Sequence, residues 1–268
     1  MPENFVVVIP ARLNSTRLPN KPLYKIKNKP LIIWTIESLL EFLPENKIIV
    51  ACDSEEIKKV ILEYYPQIRV MLTPDTIKSG TERVAFVAVD LEDENIDFII
   101  NVQCDEPLIK EKHIFALLEE LKKGESFVTL GTKFKSAEEI FNPNNVKIVL
   151  DKNFYALYFS RSFIPFARDI ISYDLQSIQD KLFINYSLDI TKLDLEKFIK
   201  HVGIYGYEIE KLIEFSEWEE GNLEKIEKLE QLRILENGEK IKVRVFNDTF
   251  IGIDTEEDVK KFEAYLNY

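Results

Sequence analysis

Three groups of charged residues in this chain have the types and spacing that phosphate chemistry needs. The stretch "PARLNSTRLPNKP" follows an apolar run, "FVVVIP", and carries Arg12, Arg17 and Lys21. A loop between a buried strand and a helix leaves backbone N–H groups free for phosphate oxygens, and these cations would offset the charge of a triphosphate. The same loop also reads as an ordinary solvated charged surface. A second apolar run, in "DFIINVQCDEPLI", ends in Asp105 and Glu106. A carboxylate at a strand end offers the hard oxygen that Mg2+ takes, together with substrate phosphates and water. A shared ion calls for a second carboxylate, and Asp254 of "GIDTEEDV" is the candidate. On the residues alone, Asp254 or Thr255 reads better as the cap of the helix that follows, and Glu106 before Pro107 reads equally as a strand-end residue.

Other chemistries lack their residues. There is no G-x-x-x-x-G-K-[ST] loop, no G-x-G-x-x-G fingerprint and no G-x-S-x-G elbow. Cys104 stands beside Asp105, but a catalytic thiol needs a base. The chain has two histidines, His113 and His201, and no cysteine signature surrounds Cys104. A small buried hydrophobe is the expected role of that thiol. Two cysteines and two scattered histidines also lack zinc-ligand spacing. Gly80 in "SGTER" permits a tight turn close to a ligand, where Arg83 either adds charge or pairs with a helix carboxylate. His201, Tyr205 and Tyr207 of "HVGIYGY" read either as the wall of a sugar pocket or as core residues of a strand.

The elements that must position these groups alternate. "FVVVIP" (5–10), "KIIVAC" (47–52), "IRVML" and "FIINV" read as strands. Helical spacing is expected over 31–43, with Pro30 at its first position, and over 55–65, 81–91 and 110–123. Asp53 or Ser54 caps the second of these helices. The pattern predicts an α/β fold, a Rossmann-like, mostly parallel sheet flanked by helices. Ligands in such folds sit beyond the carboxyl ends of the strands, which places the basic loop, "TPDTIKSGTER" and "QCDEP" on one edge. Beyond Pro143 a hairpin is expected around 151–153, a strand over 201–208, one strong helix over 223–238 stopped by Gly238, a strand over 241–246 and a closing helix over 255–266. Residues 169–200 give no clear pattern. No linker divides the chain, so residues 1–268 are expected to form one domain, with a β-rich subdomain at about 143–210.

Composition bounds the function. A hydrophobic share of 46% with 31% charged residues is that of a folded globular chain. A net charge of −12 argues against nucleic-acid binding. Residues 1–30 nevertheless carry +5, leaving −17 on the other 238, so a local anion site is expected there. No run is long and apolar enough for a membrane span, no signal peptide is expected, and two cysteines suit a reducing cytoplasm.

Taken in order, "VVIPARLNSTRLPNKPL", "SGTER", "NVQCDEP", "FNPNNVKIVLD", "YALYFSRSFIP", "HVGIYGY", "LEQLRILENGEKI" and "GIDTEEDV" resemble the motifs of the 3-deoxy-manno-octulosonate (Kdo) cytidylyltransferases, the CMP-Kdo synthetases. The resemblance spans about Val6 to Phe262. It implies a nucleotidyltransferase of the nucleotide-diphospho-sugar transferase type with a smaller β-rich dimerisation element. Such an enzyme couples CTP to Kdo, releases diphosphate, depends on Mg2+, serves lipopolysaccharide synthesis and forms a homodimer. Carried over position by position, Arg12, Ser15, Arg17, Lys21, Ser79, Gly80 and Arg83 belong to the nucleotide. Gln103, Arg161, His201, Tyr205, Glu230 and Gln231 belong to the sugar acid. Asp105 and Asp254 hold the metal, and Arg17, Lys21 and Asp105 are the catalytic set.

Three departures bear on the sugar. The family usually has Gly at Cys104 and Asp-His plus one residue at Thr76, Ile77 and Lys78, and residues 169–200 are longer than its usual connection. An 8-amino-Kdo or another 2-keto-3-deoxy sugar acid is therefore the alternative substrate, and a non-catalytic nucleotide-binding protein the alternative class.

Overall fold

A strand covered by helices on both faces must be apolar on both, and the first run is. In a computed structural model, which describes residues 4–13, 18–77, 79–169, 171–178, 181–189 and 192–267, it forms β1 (Phe5–Ala11), buried throughout. A short ribbon, β2 (Lys25–Ile26) with β3 (Lys29–Pro30), leads into α1 (Leu31–Leu40), so Pro30 ends the ribbon and stands just before the helix. The alternation continues through β4 (Ile48–Cys52), α2 (Glu55–Tyr64), β5 (Arg69–Leu72), α3 (Gly80–Asp90), β6 (Phe98–Val102) and α4 (Glu111–Lys122). β1 pairs in parallel with β4 and with β6, and β4 with β5. Their carboxyl ends share one edge, and the three predicted loops leave from it.

The rest of the chain extends the sheet. It contains β7 (Phe127–Lys133), α5 (Ala137–Phe141), the hairpin β8 (Lys147–Leu150) and β9 (Ala156–Ser160), then β10 (Ile171–Ile178) and β11 (Lys181–Leu188). After these come β12 (Ile199–Glu208), α6 (Ile209–Glu217), α7 (Asn222–Glu227), α8 (Gln231–Glu236), β13 (Lys242–Phe246) and α9 (Glu256–Tyr265). Among the described residues the main sheet has nine strands. Seven lie in the order β13-β7-β12-β6-β1-β4-β5, with β8 on β12 and β9 on β8. β10 and β11 pair only with each other, from Ile171 opposite Leu188 to Ile178 opposite Lys181. This ladder occupies the stretch that gave no pattern in the sequence.

β12 lies antiparallel to both β6 and β7. Its register sets Ile204 against Val102 and Tyr205 against Asn101, so its first residues, His201 among them, fall beyond the end of β6 at the ligand edge. The pairing with β7 slips between Val202 and Tyr205, and Thr129 pins that irregularity by its hydroxyl, 2.9 Å from the Ile204 carbonyl and 3.3 Å from that of Val202. Bulges of this kind re-aim side chains next to active sites.

Helices cover both faces of the sheet. One buried cluster takes Ile32, Ile36, Ile57, Ile61, Leu117 and Leu121 from α1, α2 and α4. The other takes Val84, Ala88, Leu212, Phe215, Leu232 and Ile234 from α3, α6 and α8. Among the described residues no helix is long and apolar enough to cross a membrane.

The single helix expected over 223–238 is two helices. Lys228 adopts φ 54°, ψ 49°, a left-handed conformation that ends α7. Tertiary partners decide the break. Arg161 donates to the carbonyls of Glu227 and Lys228, and Arg233 folds back onto Glu224. Nine residues of continuous helix would set residues 224 and 233 roughly 13 Å apart along the axis, too far for that pair. Gly238, at φ 80°, stops α8 as expected.

Candidate active site

The loop after β1 returns to the sheet through a turn of 3-10 helix, Lys21–Leu23, that buries Pro22 and aims Lys21 back over the strand ends. Its ammonium lies between two carboxylates, hydrogen-bonded to Asp105 and 2.8 Å from Asp254 Oδ1. Asp105 and Asp254 are far apart in sequence but adjacent in space because the Ile253 N–H donates to the Asp105 carbonyl at 3.0 Å. Burial works against the Lys21 charge, yet Asp105 and Asp254 outweigh it and raise the pKa above its ordinary value. The helix cap is Thr255, whose hydroxyl accepts from Asp258 N–H, so Asp254 turns to the site. Two carboxylates facing one positive charge are a hard-oxygen pair of the kind Mg2+ accepts beside phosphate. Among the described residues no larger cluster of His, Cys, Asp and Glu gathers.

Glu106, next in the chain, is half-buried, with its Oε2 out of reach of solvent. Desolvation and the neighbouring Asp105 push it up to about 8, and its Oε2 has no hydrogen-bond partner among the described residues. Cys104 is buried in the cluster beneath α1 and α4, and the Thr35 hydroxyl donates to its carbonyl at 2.8 Å. Desolvation pushes its thiol up to about 12, so it is not a thiolate at neutral pH. It is absent from the positive-φ positions, so its backbone does not need the glycine usual there.

A second group gathers where α3, β6, β12 and α8 meet. Gln103 Nε2 donates to Asn101 Oδ1 at 3.0 Å, and a Cβ at Gly80 would lie 3.0 Å from Gln103 Oε1, so a larger residue there would displace the Gln103 amide. The first turn of α3 meets α8 through Thr81 N–H, which donates to Glu230 Oε2 at 3.2 Å. Tyr205 and Tyr207 stack at 5.7 Å, and burial raises both phenols well above their ordinary values. Two amide donors are buried here without an acceptor among the described residues, Asn101 Nδ2 and Gln231 Nε2. Buried donors left this way mark a place where a polar ligand completes the bonding. Asn101 is absent from the carried-over residues; a polar side chain midway in the apolar run "FIINV" was the signal for it.

Other carried-over residues have structural partners. The Ser79 hydroxyl caps α3 by accepting from Glu82 N–H. Arg161 donates to the carbonyls of Glu227 at 2.9 Å and Pro143 at 3.2 Å, one turn before Glu230, while the buried Lys147 ammonium gathers the carbonyls of Asn142, Asn145 and Arg161. Arg83 turns inward, 2% exposed, onto Asp53 and the loop after β5. Arg12 is exposed at the end of β1. Ser15, Arg17 and Lys78 lie outside the described residues.

Both histidines are neutral. His113 Nδ1 accepts from Lys110 N–H, so the proton sits on Nε2, which donates to Asp248 Oδ2 at 3.0 Å; burial lowers its pKa. His201, with Thr129 3.3 Å from its Nε2 and the rings of Phe159 and Tyr205 5.3 Å away, is pushed down to about 3 by desolvation. Both folded values lie below the unfolded one. Their contribution to stability is therefore complete above about pH 6.5 and declines as the pH falls below it, for His201 down to about 3. Ring 15N shifts should show the His201 imidazole neutral from pH 8 to pH 6. A midpoint near 6.5 for His201 would contradict this desolvation.

Comparison with known proteins gives consistent results. The family profile described as Cytidylyltransferase matches residues 6–241. The 3-deoxy-manno-octulosonate cytidylyltransferase of Francisella tularensis subsp. novicida is 41% identical over 267 residues, 98% of this chain and 99% of its own. That of Haemophilus influenzae strain Rd is 39% identical over 266 residues, 98% of each. A solved CMP:2-keto-3-deoxy-manno-octonic acid synthetase complexed with CTP is 31% identical, with a TM-score of 0.80 over 99% of both chains.

Proposed function

The chain belongs to the cytidylyltransferase family, in its 3-deoxy-manno-octulosonate branch, and on that premise we propose that it activates Kdo with CTP, releasing diphosphate and making the CMP-Kdo used in lipopolysaccharide synthesis. The observation that carries this reading is Lys21 held between Asp105 and Asp254 at the ligand edge of the sheet, with Asp105 two residues on from Gln103, which packs against the start of α3 where Thr81 meets Glu230.

The anomeric hydroxyl oxygen of the sugar acid bonds to the α-phosphorus of CTP as the bond to diphosphate breaks, and the hydroxyl proton passes to water. Two anions must first be brought together. Arg12, Arg17 and Lys21 would surround the triphosphate, and Lys21 would shift its ammonium from the aspartates to the phosphates. Asp105 and Asp254 would hold Mg2+, which when bound neutralises charge developing on the departing diphosphate. Asn101, Gln103 and Gln231 would orient the sugar through hydroxyl contacts, and the neutral His201 would act as a hydrogen-bonding group without charge. Catalysis of this kind works by positioning and electrostatics and needs no protein nucleophile.

Diphosphate release measured across nucleoside triphosphates and sugar acids tests the reading. Release with CTP and Kdo, lost on chelation and restored by Mg2+, is the expected result. Turnover confined to 8-amino-Kdo or another 2-keto-3-deoxy acid would move the substrate. CTP binding without release on any acid would make this a binding protein. The apolar side chains of Leu157, Phe166 and Ile226, exposed on or near the 143–210 subdomain, support a homodimer formed there, and sedimentation should show twice the chain mass. The free thiols of Cys52 and Cys104 suit a cytoplasmic setting.

A further inference from the structure

Asp53 stands at the end of β4, where it was expected as a possible helix cap. Ser54 takes that task, its hydroxyl accepting from Glu56 N–H, which leaves the Asp53 carboxylate for other partners. Oδ1 accepts from Leu13 N–H at 3.0 Å, at the root of the basic loop, and Oδ2 lies 3.6 Å from Arg83 Nη2. Arg83 in turn donates to the Thr73 hydroxyl and to the carbonyls of Pro74, at 3.4 Å, and Ile77, at 3.2 Å. Thr73 closes the chain of contacts with its N–H and hydroxyl both on the Cys52 carbonyl, at 2.8 and 3.1 Å. One acid and one base thus tie together the ends of β1, β4 and β5 and the first turn of α3.

The acid is in an odd place. Its side chain is 9% exposed and grips the amide of a loop that must receive a triphosphate, to which it is repulsive. A carboxylate there is tolerable only if its charge is cancelled locally, and Arg83, itself 2% exposed, is the ion-pair partner that does so among the described residues. The positive field of Arg12 also reaches Arg83. Breaking such a pair from one side leaves an uncompensated charge, whereas neutralising both sides does not.

We propose that Asp53 is a positioning residue for the triphosphate loop and that Arg83 acts by holding and neutralising it, not by contacting the nucleotide. The inference rests on the CTP reading of the loop after β1. It separates two duties of Asp53, because Asn keeps an oxygen for Leu13 N–H and loses only the charge.

Steady-state kinetics on the full chain test it, with KM for CTP and for the sugar acid measured separately and folding checked by thermal melting. Arg83→Met should raise KM for CTP by about tenfold or more and leave that for the sugar acid within about twofold. Asp53→Asn, which leaves Arg83 buried without its counter-charge, should lower the melting temperature but keep KM for CTP within about threefold, and Asp53→Asn combined with Arg83→Met should return KM to that range. Asp53→Ala, which removes the anchor as well as the charge, should raise KM for CTP where Asp53→Asn does not. If Arg83→Met does not fold, the comparison of the double variant with Asp53→Asn alone carries the test. A double variant as impaired toward CTP as Arg83→Met, or ten times worse than Asp53→Asn, would make Arg83 a nucleotide contact and overturn the proposal. Equal changes in both KM values would overturn it too. An unsubstituted enzyme that released no diphosphate from any nucleotide would instead remove the CTP reading on which it rests.

Discussion

Asp105→Asn and Asp254→Asn are each expected to lower kcat by roughly a thousandfold, the equivalent of the several kcal/mol that a catalytic metal contributes to a transition state. The substitution keeps shape and removes charge. The two segments are joined through backbone, Ile253 N–H to the Asp105 carbonyl, so neither side chain is needed to keep them adjacent. Each variant should therefore fold and melt close to the parent while losing the Mg2+ dependence of turnover. Loss of one carboxylate also leaves Lys21 with a single partner, so CTP should still bind, held by a lysine freer to reach its phosphates. Rapid-quench kinetics with saturating CTP and sugar acid isolate the chemical step. Near-normal, Mg2+-dependent turnover in either variant would end the assignment of the pair as metal ligands.

The second large effect lies in stability. Arg233→Met should cost about 3–5 kcal/mol, the range for removing one member of a buried ion pair. Its guanidinium makes a two-pronged contact with Glu224, 2.7 Å on each oxygen, reaches Glu82 at 3.2 Å and lies over the Phe215 ring at 4.7 Å. The side chains of Arg233 and Glu224 are 5% and 6% exposed, so methionine would strand the carboxylate out of water. For a chain of this size that loss lowers the melting temperature by roughly 10 °C. The contact joins α7, α8 and α3, and Glu230 and Gln231 sit at the start of α8. At temperatures where the variant stays folded, KM for the sugar acid should rise more than KM for CTP. A melting temperature within about 2 °C of the parent would mean that the pair contributes little.

The first half of the molecule was legible in the sequence. Apolar runs such as "FVVVIP" and "FIINV", followed by amphipathic stretches, carry a local signal, because the periodicity of burial is written in neighbouring residues. The parallel direction of β1, β4, β5 and β6, and the common edge it creates, follows from strand–helix alternation with right-handed crossovers; their order, with β6 and β4 on either side of β1, does not. β7 was missed because "SFVTLGTKF" sits between stronger signals, and β10 with β11 because a two-stranded ladder needs no core face. The helix break at Lys228 was unreadable because residues 223–236 are sound helix formers throughout. The carbonyls freed there are taken by Arg161, which lies 67 residues away from Lys228 in the chain.

The site divides along the same line. The sequence by itself determined which chemistry was available: basic residues after the first strand, a carboxylate after the fourth, no nucleophile with a base, and a run of motifs shared with a family of cytidylyltransferases. Only the tertiary structure decided which charges meet. It turned Asp254 from a plausible helix cap into the partner of Lys21, turned Asp53 from a cap into the anchor of Leu13, and drew Arg83 inward. Capping is a contact between residues two or three apart, so sequence describes it well. A carboxylate with two possible partners goes where burial leaves an opposite charge in greatest need of it, and that depends on how distant segments pack.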